Sequence, residues 1–313
     1  MKTINIYTII ATYNGMRRNW IQKCLDSLLS SSVKTEIIVI DNGSTDGTIE
    51  YIQKKYPQVD LTIANENLGF AKANNIGIRK AYDQGADYFF LLNQDAWIEE
   101  NTIEKLVEIF EQKLDAGIVS PIHLNGLKNK FDQNFAHYFA NFHSVSDLYF
   151  NRLQPYYEVL FANAAAWLIS RKCIETVGGF DTDLFYHYGE DSNYCNRVLY
   201  HGFKIYIATT TSICHDREDR KGKRPKEFQL LIDETKHKIR LSNILLSEKE
   251  IFAEINSLKL RNSMPFIILK LLYFRFNLSK LKSYRNELNE LLKIAQKAKE
   301  SRRINQKTGL HWL

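Results

Sequence analysis

DYFFLLNQDAW, residues Asp87 to Trp97, is the stretch on which the fold turns. Its apolar run from Tyr88 to Leu92 is unbroken and halts at Asn93, Gln94 and Asp95. A run without polar alternation predicts a strand buried on both faces, as the centre of a parallel sheet requires. In open α/β sheets, ligands lie beyond the carboxyl ends of the strands. An unpaired carboxylate is also costly to set against a core. Asp95 is therefore the first candidate for chemistry, with capping of the next helix as the plainer alternative.

Working outward, the same grammar repeats. Ile4 to Ala11 reads as a strand ending in the turn Thr12-Tyr13-Asn14-Gly15. Trp20 to Ser30 carries an apolar stripe at helical spacing. Glu36 to Ile40 is a second buried strand that runs into the turn-rich loop Asp41 to Thr48, which supplies caps for a helix over 49–55. Val59 to Ala64 is a third strand, and the loop Asn67 to Phe70 leads into a helix over 71–82. After Asp95 come a helix over 101–112 and a short strand over 117–120. Strand alternating with helix means crossover connections and a mostly parallel sheet flanked by helices, an α/β fold. One end of that sheet is lined by four polar loops.

Beyond residue 120 the pattern loosens. Gly126 to Pro155 reads as an insertion of loops or short antiparallel strands. Asn163 to Ser170 is apolar, and Gly178 to Asp181 is a turn. Phe185 to Asp191 gathers aromatic residues around Glu190 and Asp191. A helix over 192–200, a strand over 204–208 and a short segment Ser212 to His215 follow. From Lys226 the pattern is helical to the end, with Met264 to Leu278 its most apolar part.

The chain has 313 residues, 44% of them apolar and 25% charged, which is ordinary for globular proteins. Cys24, Cys173, Cys195 and Cys214 form no CxxC pair, which argues against a disulfide framework or a zinc site and fits a reducing compartment. The apolar N-terminus is soon broken by Asn14 and Gly15 and reads as a strand rather than a signal peptide. No stretch approaches the ~20 apolar residues that span a bilayer. The net charge of +6 hides an asymmetry: Arg217 to Leu313 holds 23 Lys and Arg against 11 Asp and Glu, and the preceding residues hold 19 against 25. An acidic body at 1–216 with a basic helical region at 217–313 is the expected division, and the two would have different partners.

Neither GxxxxGK[ST] nor GxGxxG occurs, which disfavours a P-loop enzyme and a nicotinamide dehydrogenase. A diphosphate can instead be held through a divalent cation, since Mg²⁺ and Mn²⁺ take oxygen ligands and often only one or two carboxylates. Asp95 suits that role, with Asn93 as a ribose or phosphate contact. Asp41 is placed to accept from a nucleobase N–H or simply to form its turn. Glu190 and Asp191 either cap a helix or, desolvated by Phe185, Tyr186, Tyr188 and Tyr194, supply a general base. His215, followed by Asp216 and the basic run Arg217 to Arg224, would complete a cation site while the run closes over phosphates; a solvated linker is the bland alternative.

TIIATYNG, IIVIDNGSTDGT, ENLGFAKANNIGI, FFLLNQDAWIEE and GGFDTDLFYHYGEDSNYCNRVLYHGFKI stand in the order found in family 2 nucleotide-sugar glycosyltransferases, and residues 4–215 resemble their bacterial rhamnosyltransferase-like members. The resemblance implies a GT-A fold, a nucleotide-diphospho-sugar donor (dTDP-rhamnose or a UDP-sugar), Mn²⁺ or Mg²⁺, and inversion at the anomeric carbon. It puts Asn93-Gln94-Asp95 at the DxD position with Asn replacing the first acid, leaving Asp95 and His215 as metal ligands. It makes Asp191, beside Glu190, the catalytic base, and Thr12, Tyr13, Asn14, Asp41, Asn42, Asn67, Gly69, Lys72 and Asn93 the donor-binding set. The implied acceptor is a hydroxyl of a glycan or lipid-linked acceptor in bacterial surface polysaccharide synthesis. A non-catalytic nucleotide-sugar-binding subunit and a nucleotidyltransferase are the competing readings; the missing Gly-rich phosphate loop counts against the latter.

The basic tail fits a peripheral membrane helix, a homodimer interface or a cap on its own body. A lipid-linked acceptor would place the chain in the cytoplasm, at the inner face of the cell membrane. Nucleic acid is not an expected partner, because the basic residues form no recognisable binding module.

Overall fold

The computed structural model describes residues 4–217, 226–261 and 280–313. The expected crossover units are present: β1 (Ile6–Thr12), α1 (Trp20–Leu29), β2 (Glu36–Asp41), α2 (Thr48–Lys55), β3 (Asp60–Ile63), α3 (Gly69–Asp83) and β4 (Tyr88–Leu92). Then come β5 (Ala96–Ile98), α4 (Thr102–Gln112), β6 (Ala116–Asn125), α5 (Gln133–Phe139), α6 (Phe142–Tyr149), β7 (Tyr156–Val159), β8 (Ala166–Ser170), α7 (Arg171–Val177), α8 (Glu190–Tyr200) and β9 (Lys204–His215). The sheet runs β3-β2-β1-β4-β8-β6-β9-β5, with β7 also on β9. β1 to β4, β6 and β9 point one way, and β5, β7 and β8 run against them.

β4 shows why its residues read as they do. Successive side chains of a strand face opposite sides. Phe89 and Leu91 enter one core, with Ile9, Ala73 and Ile78, and Phe90 and Leu92 enter the other, with Ile10, Leu25 and Leu106. All four are at most 2% exposed, so no polar residue was tolerable before Asn93.

The 126–155 insertion differs from expectation. It is helical, not strand-like. Phe135, Tyr138 and Phe139 fall on one face of α5 at i, i+3 and i+4. Asp132 caps that helix, and Asn141 caps α6 in a box with Ser144. β6 also runs ten residues rather than four, and the segment Ser212 to His215 is the end of the long β9.

Among the described residues, three helices follow: α9 (Lys226–Ser242), α10 (Glu248–Arg261) and α11 (Lys280–Asn305). Their described parts cap the body. Leu184 and Phe185 share a small core with Leu241, Ile251, Ile294 and Ala298. Helix ends at Asn305, short of the expected continuation. The last residues are pinned to the body: Gly179 N–H donates to His311 O at 2.8 Å, and Asn75 Nδ2 donates to Phe180 O at 2.8 Å and Trp312 O at 3.0 Å. The apolar stretch Met264 to Leu278 and most of the basic run ending at Arg224 lie outside the described residues.

Candidate active site

The carboxyl ends of β1, β2 and β4 form one wall. Thr12 ends β1, fully buried, and its hydroxyl donates to Gln94 Oε1 at 2.5 Å. Gln94 grips the next residue in both directions. Its Oε1 accepts from Tyr13 N–H and its Nε2 donates to Tyr13 O, each at 3.0 Å. The Tyr13 ring stays 45% exposed, a free face for stacking. Asn14 takes φ +50°, and its Oδ1 accepts from Thr45 N–H at 2.9 Å. Gly15 N–H donates to Thr48 Oγ1 at 2.8 Å. The two strand-end loops are thus stitched into one surface.

Asp41 is fully buried at the end of β2. Its Oδ1 accepts from Gly43 and Ser44 N–H at 3.0 and 2.8 Å, and its Oδ2 from the Ser44 hydroxyl at 2.6 Å. The turn-forming role is therefore real, and it holds the loop whatever else Asp41 meets. Asn42 bridges outward: its N–H donates to Thr12 O at 2.7 Å and its Oδ1 accepts from Leu68 N–H at 3.2 Å. Asn67 Oδ1 accepts from Gly69 N–H at 2.9 Å, opening α3. Lys72 is exposed on that helix. Asn93 is partly exposed at the end of β4.

Strand pairing builds the second wall. β5 pairs antiparallel with β9 so that Ala96 faces His215, which brings the preceding Asp95 beside that histidine. His215 Nε2 lies 3.4 Å from Asp95 Oδ1, and Nδ1 lies 3.4 Å from Asp132 Oδ2, each close enough for an ion pair, with Nδ1 off the line of a good hydrogen bond. Burial alone would favour neutral imidazole. Asp95 and Asp132 outweigh it, so His215 holds its proton above the usual histidine range. Burial works against the Asp132 carboxylate too, but His215, Arg217 and the Phe135 N–H hold it well below the usual range. His123 packs edge-on at 6.2 Å, and burial pushes it down to about 3, so it is neutral.

The oxygen–nitrogen separation of Asp95 and His215 is close to the roughly 3 Å between adjacent ligands at about 2.1 Å from one ion. A carboxylate suits Mn²⁺ or Mg²⁺, and an imidazole nitrogen favours a transition metal over Mg²⁺. Among the described residues, no group of three or more His, Cys, Asp and Glu gathers to hold a metal ion. A cation here would take its remaining ligands from a diphosphate and water.

The acid pair opens α8 behind Gly189, whose φ of +91° makes the turn. Asp191 Oδ1 accepts from Ser192 N–H at 2.7 Å, and Asn163 Nδ2 donates to Oδ2 at 3.3 Å. Asp191 keeps some contact with solvent. Burial nevertheless raises its carboxyl above the usual range, against the pull of Ser192 and Arg217. Glu190 is buried, and its Oε2 has no hydrogen-bond partner. Burial and the neighbouring Asp191 charge push it up to about 8. Of the two, Asp191 has the donors and ionises first, and Glu190 keeps its proton. Tyr186 ties this end to the first wall, its hydroxyl donating to Asn67 O at 2.6 Å.

Gln94, Asp132 and Asn163 are the residues the sequence did not single out. Gln94 sits inside the NQD triplet, and Asp132 carries the capping position before an apolar helical face. Asn163 gives no local signal at all.

Comparison with known proteins bears on the family and the fold. The family model described as "Glycosyl transferase family 2" matches residues 7–178, more than half the chain. The dTDP-rhamnosyl transferase RfbF of Shigella flexneri is 26% identical over 226 residues, 70% of this chain and 71% of that protein. Among solved structures, residues 1–349 of S. aureus TarS in complex with UDP superimpose with a TM-score of 0.55 at 15% identity, covering 97% of this chain and 89% of that one. GalNAc-T7 with UDP, GalNAc and Mn²⁺ gives 0.62 at 15% identity, covering 92% and 55%. At those identities the likeness shows the fold alone, and that fold is GT-A. The chain belongs to glycosyl transferase family 2.

Proposed function

We propose that the chain is a metal-dependent inverting glycosyltransferase. It moves a sugar from a nucleotide-diphospho-sugar to a hydroxyl of a glycan or lipid-linked acceptor in bacterial surface polysaccharide synthesis. The observation that carries this is the convergence, at one end of the sheet, of the Asp95–His215 pair with a carboxylate of raised proton affinity, Asp191. Arg217 links the two regions: it lies 4.0 Å from Asp132, and its charge acts on both His215 and Asp191.

The loops of Thr12, Tyr13, Asn14, Asp41 and Asn42 would hold the nucleoside. Asn67, Gly69, Lys72 and Asn93 line its approach. Asp95 and His215 would hold the cation, which supplies positive charge beside the leaving diphosphate. Asp191 accepts the proton of the acceptor hydroxyl. That oxygen bonds to the anomeric carbon from the face opposite the diphosphate, whose C–O bond breaks and carries the electron pair away. One displacement inverts configuration. Neutral Glu190 beside Asp191 adds no second negative charge to repel the donor.

The name of the Shigella flexneri relative favours dTDP-rhamnose, and the UDP complex of TarS keeps a UDP-sugar in play. A lipid-linked acceptor would put the reaction at the inner, cytoplasmic face of the cell membrane. No helix among the described residues is long and apolar enough to cross a membrane. Substituting Asp191→Asn tests the reading. Transfer should fall at least a hundredfold with donor affinity unchanged. Unchanged transfer would refute Asp191 as the base; donor binding without transfer in the native chain would leave a non-catalytic nucleotide-sugar binder as the reading.

A further inference from the structure

His215 is 2% exposed, so both ring nitrogens depend on partners inside the protein. Asp95 faces Nε2. Asp132 faces Nδ1, and it is not free to swing away. Its Oδ1 accepts from Asn134 and Phe135 N–H at 2.8 and 3.1 Å, capping α5. Its own N–H donates to His123 O at 2.9 Å. His123 lies on β6, which pairs with β9 so that His123 faces Ile213 and Asn125 faces His215. The strand register therefore fixes how far Asp132 stands from the histidine, with Oδ2 3.4 Å from Nδ1.

The cap alone does not require an acid, since Asn and Ser cap equally well. An acid adds an oxygen that only accepts. Between two carboxylates the cation-free ring favours its doubly protonated form; where a cation replaces the Nε2 proton, an acceptor at Nδ1 keeps the remaining proton there and leaves the Nε2 lone pair to the metal. Carboxylate partners of this kind fix the tautomer and orientation of metal-binding histidines.

We infer that Asp132 is a positioning residue: it holds His215 in the Nδ1–H tautomer, so that Nε2 and Asp95 together grip the cation. The inference rests on the cation reading given above and extends it to a helix of the 126–155 insertion. Two further groups face the same ring. Neutral His123 packs at its edge, and Arg217, near Asp132, offsets part of that carboxylate's charge.

The test uses the full chain and Mn²⁺ itself. Free Mn²⁺ is followed by electron paramagnetic resonance in the presence of UDP or dTDP, whichever binds. Asp95→Asn and His215→Gln should each weaken Mn²⁺ binding more than tenfold. Asp132→Asn and Asp132→Ser keep the cap and should still unfold cooperatively, at a Tm lowered by the charge lost beside His215 and Arg217, and raise the Mn²⁺ Kd by about 10–100-fold. With Mg²⁺ and ¹⁵N-labelled histidine, His215 should show a protonated Nδ1 in the native chain. The proton should move to Nε2 in Asp132→Asn, whose amide turns a donor toward Nδ1. A purely capping Asp132 would leave both readouts as in the native chain, and that result overturns the inference. If the Asp95 and His215 substitutions also leave Mn²⁺ binding intact, the cation reading itself falls. Sensitivity at Asp95 and His215 with indifference at Asp132 overturns the positioning role alone.

Discussion

Gln94 holds the Tyr13 peptide from both sides, accepting from its N–H and donating to its carbonyl at 3.0 Å each. The clamp joins the end of β4 to the loop after β1, where the exposed Tyr13 ring stands ready to stack on a base. Gln94→Ala removes both bonds and the one from Thr12. Nucleoside diphosphate affinity measured by calorimetry should fall about tenfold, equivalent to about 1.4 kcal/mol. Equal affinity in the variant would mean that the loop is ordered by other means.

The Asn67–Gly69 turn and the Tyr186 loop meet at another joint. A side chain at Gly69, where φ is +80°, would place its Cβ 2.5 Å from the Tyr186 carbonyl oxygen. Gly69→Ala should therefore push these loops apart and raise the donor KM. Tyr186→Phe, which loses only the bond to Asn67 O, should raise it less. If Gly69→Ala leaves KM unchanged, the two loops act independently.

Glu190 makes stability depend on pH in an unusual direction. Its folded pKa is raised from 4.5 to about 8 by burial and Asp191. Between those values the unfolded chain has released the proton and the folded chain keeps it, so stability falls as pH rises through the window. Tm followed by circular dichroism should decline from pH 5 toward pH 8, and Glu190→Gln should flatten the decline. Transfer should run the other way, rising as Asp191 loses its proton above the usual carboxylate range. A Tm profile that Glu190→Gln does not alter would contradict the assignment.

Arg197 is fully buried without a carboxylate among its hydrogen-bond partners. It donates to the carbonyls of Gly179 and Val177, the loop on which the chain end docks. Arg197→Met leaves those carbonyls unpaired and should cost roughly 2–4 kcal/mol in urea unfolding. Removing residues 306–313, which takes away His311 and Trp312, should also lower Tm. An unchanged midpoint in both would show that the cap contributes nothing to the body's stability.

The sequence was most readable where local pattern and tertiary role coincide. Tyr88 to Leu92 is apolar because both faces are covered, and Asp95, Asp191 and His215 stand out at element ends. β5 and β7 did not show, because three- and four-residue strands exist only through pairing with β9, which no local period records. The α5 and α6 helices were hidden by their length, under three turns each, although Asp132 and the Asn141–Ser144 box carried their start signals. Asp132 reaches His215 across 83 residues, and Asn163 reaches Asp191 across 28. Contacts of that separation are set by sheet register rather than by spacing along the chain.

The central claim is that the strand ends bind a nucleotide diphosphate through a cation at Asp95 and His215. Thermal unfolding of the full chain with UDP, dTDP and GDP, each with and without Mn²⁺, tests it most directly, because a ligand selective for the native state raises Tm with its concentration over Kd. The account predicts a rise with UDP or dTDP that needs Mn²⁺ and disappears in Asp95→Asn. No rise with any nucleotide, or a rise indifferent to both Mn²⁺ and Asp95, would contradict it.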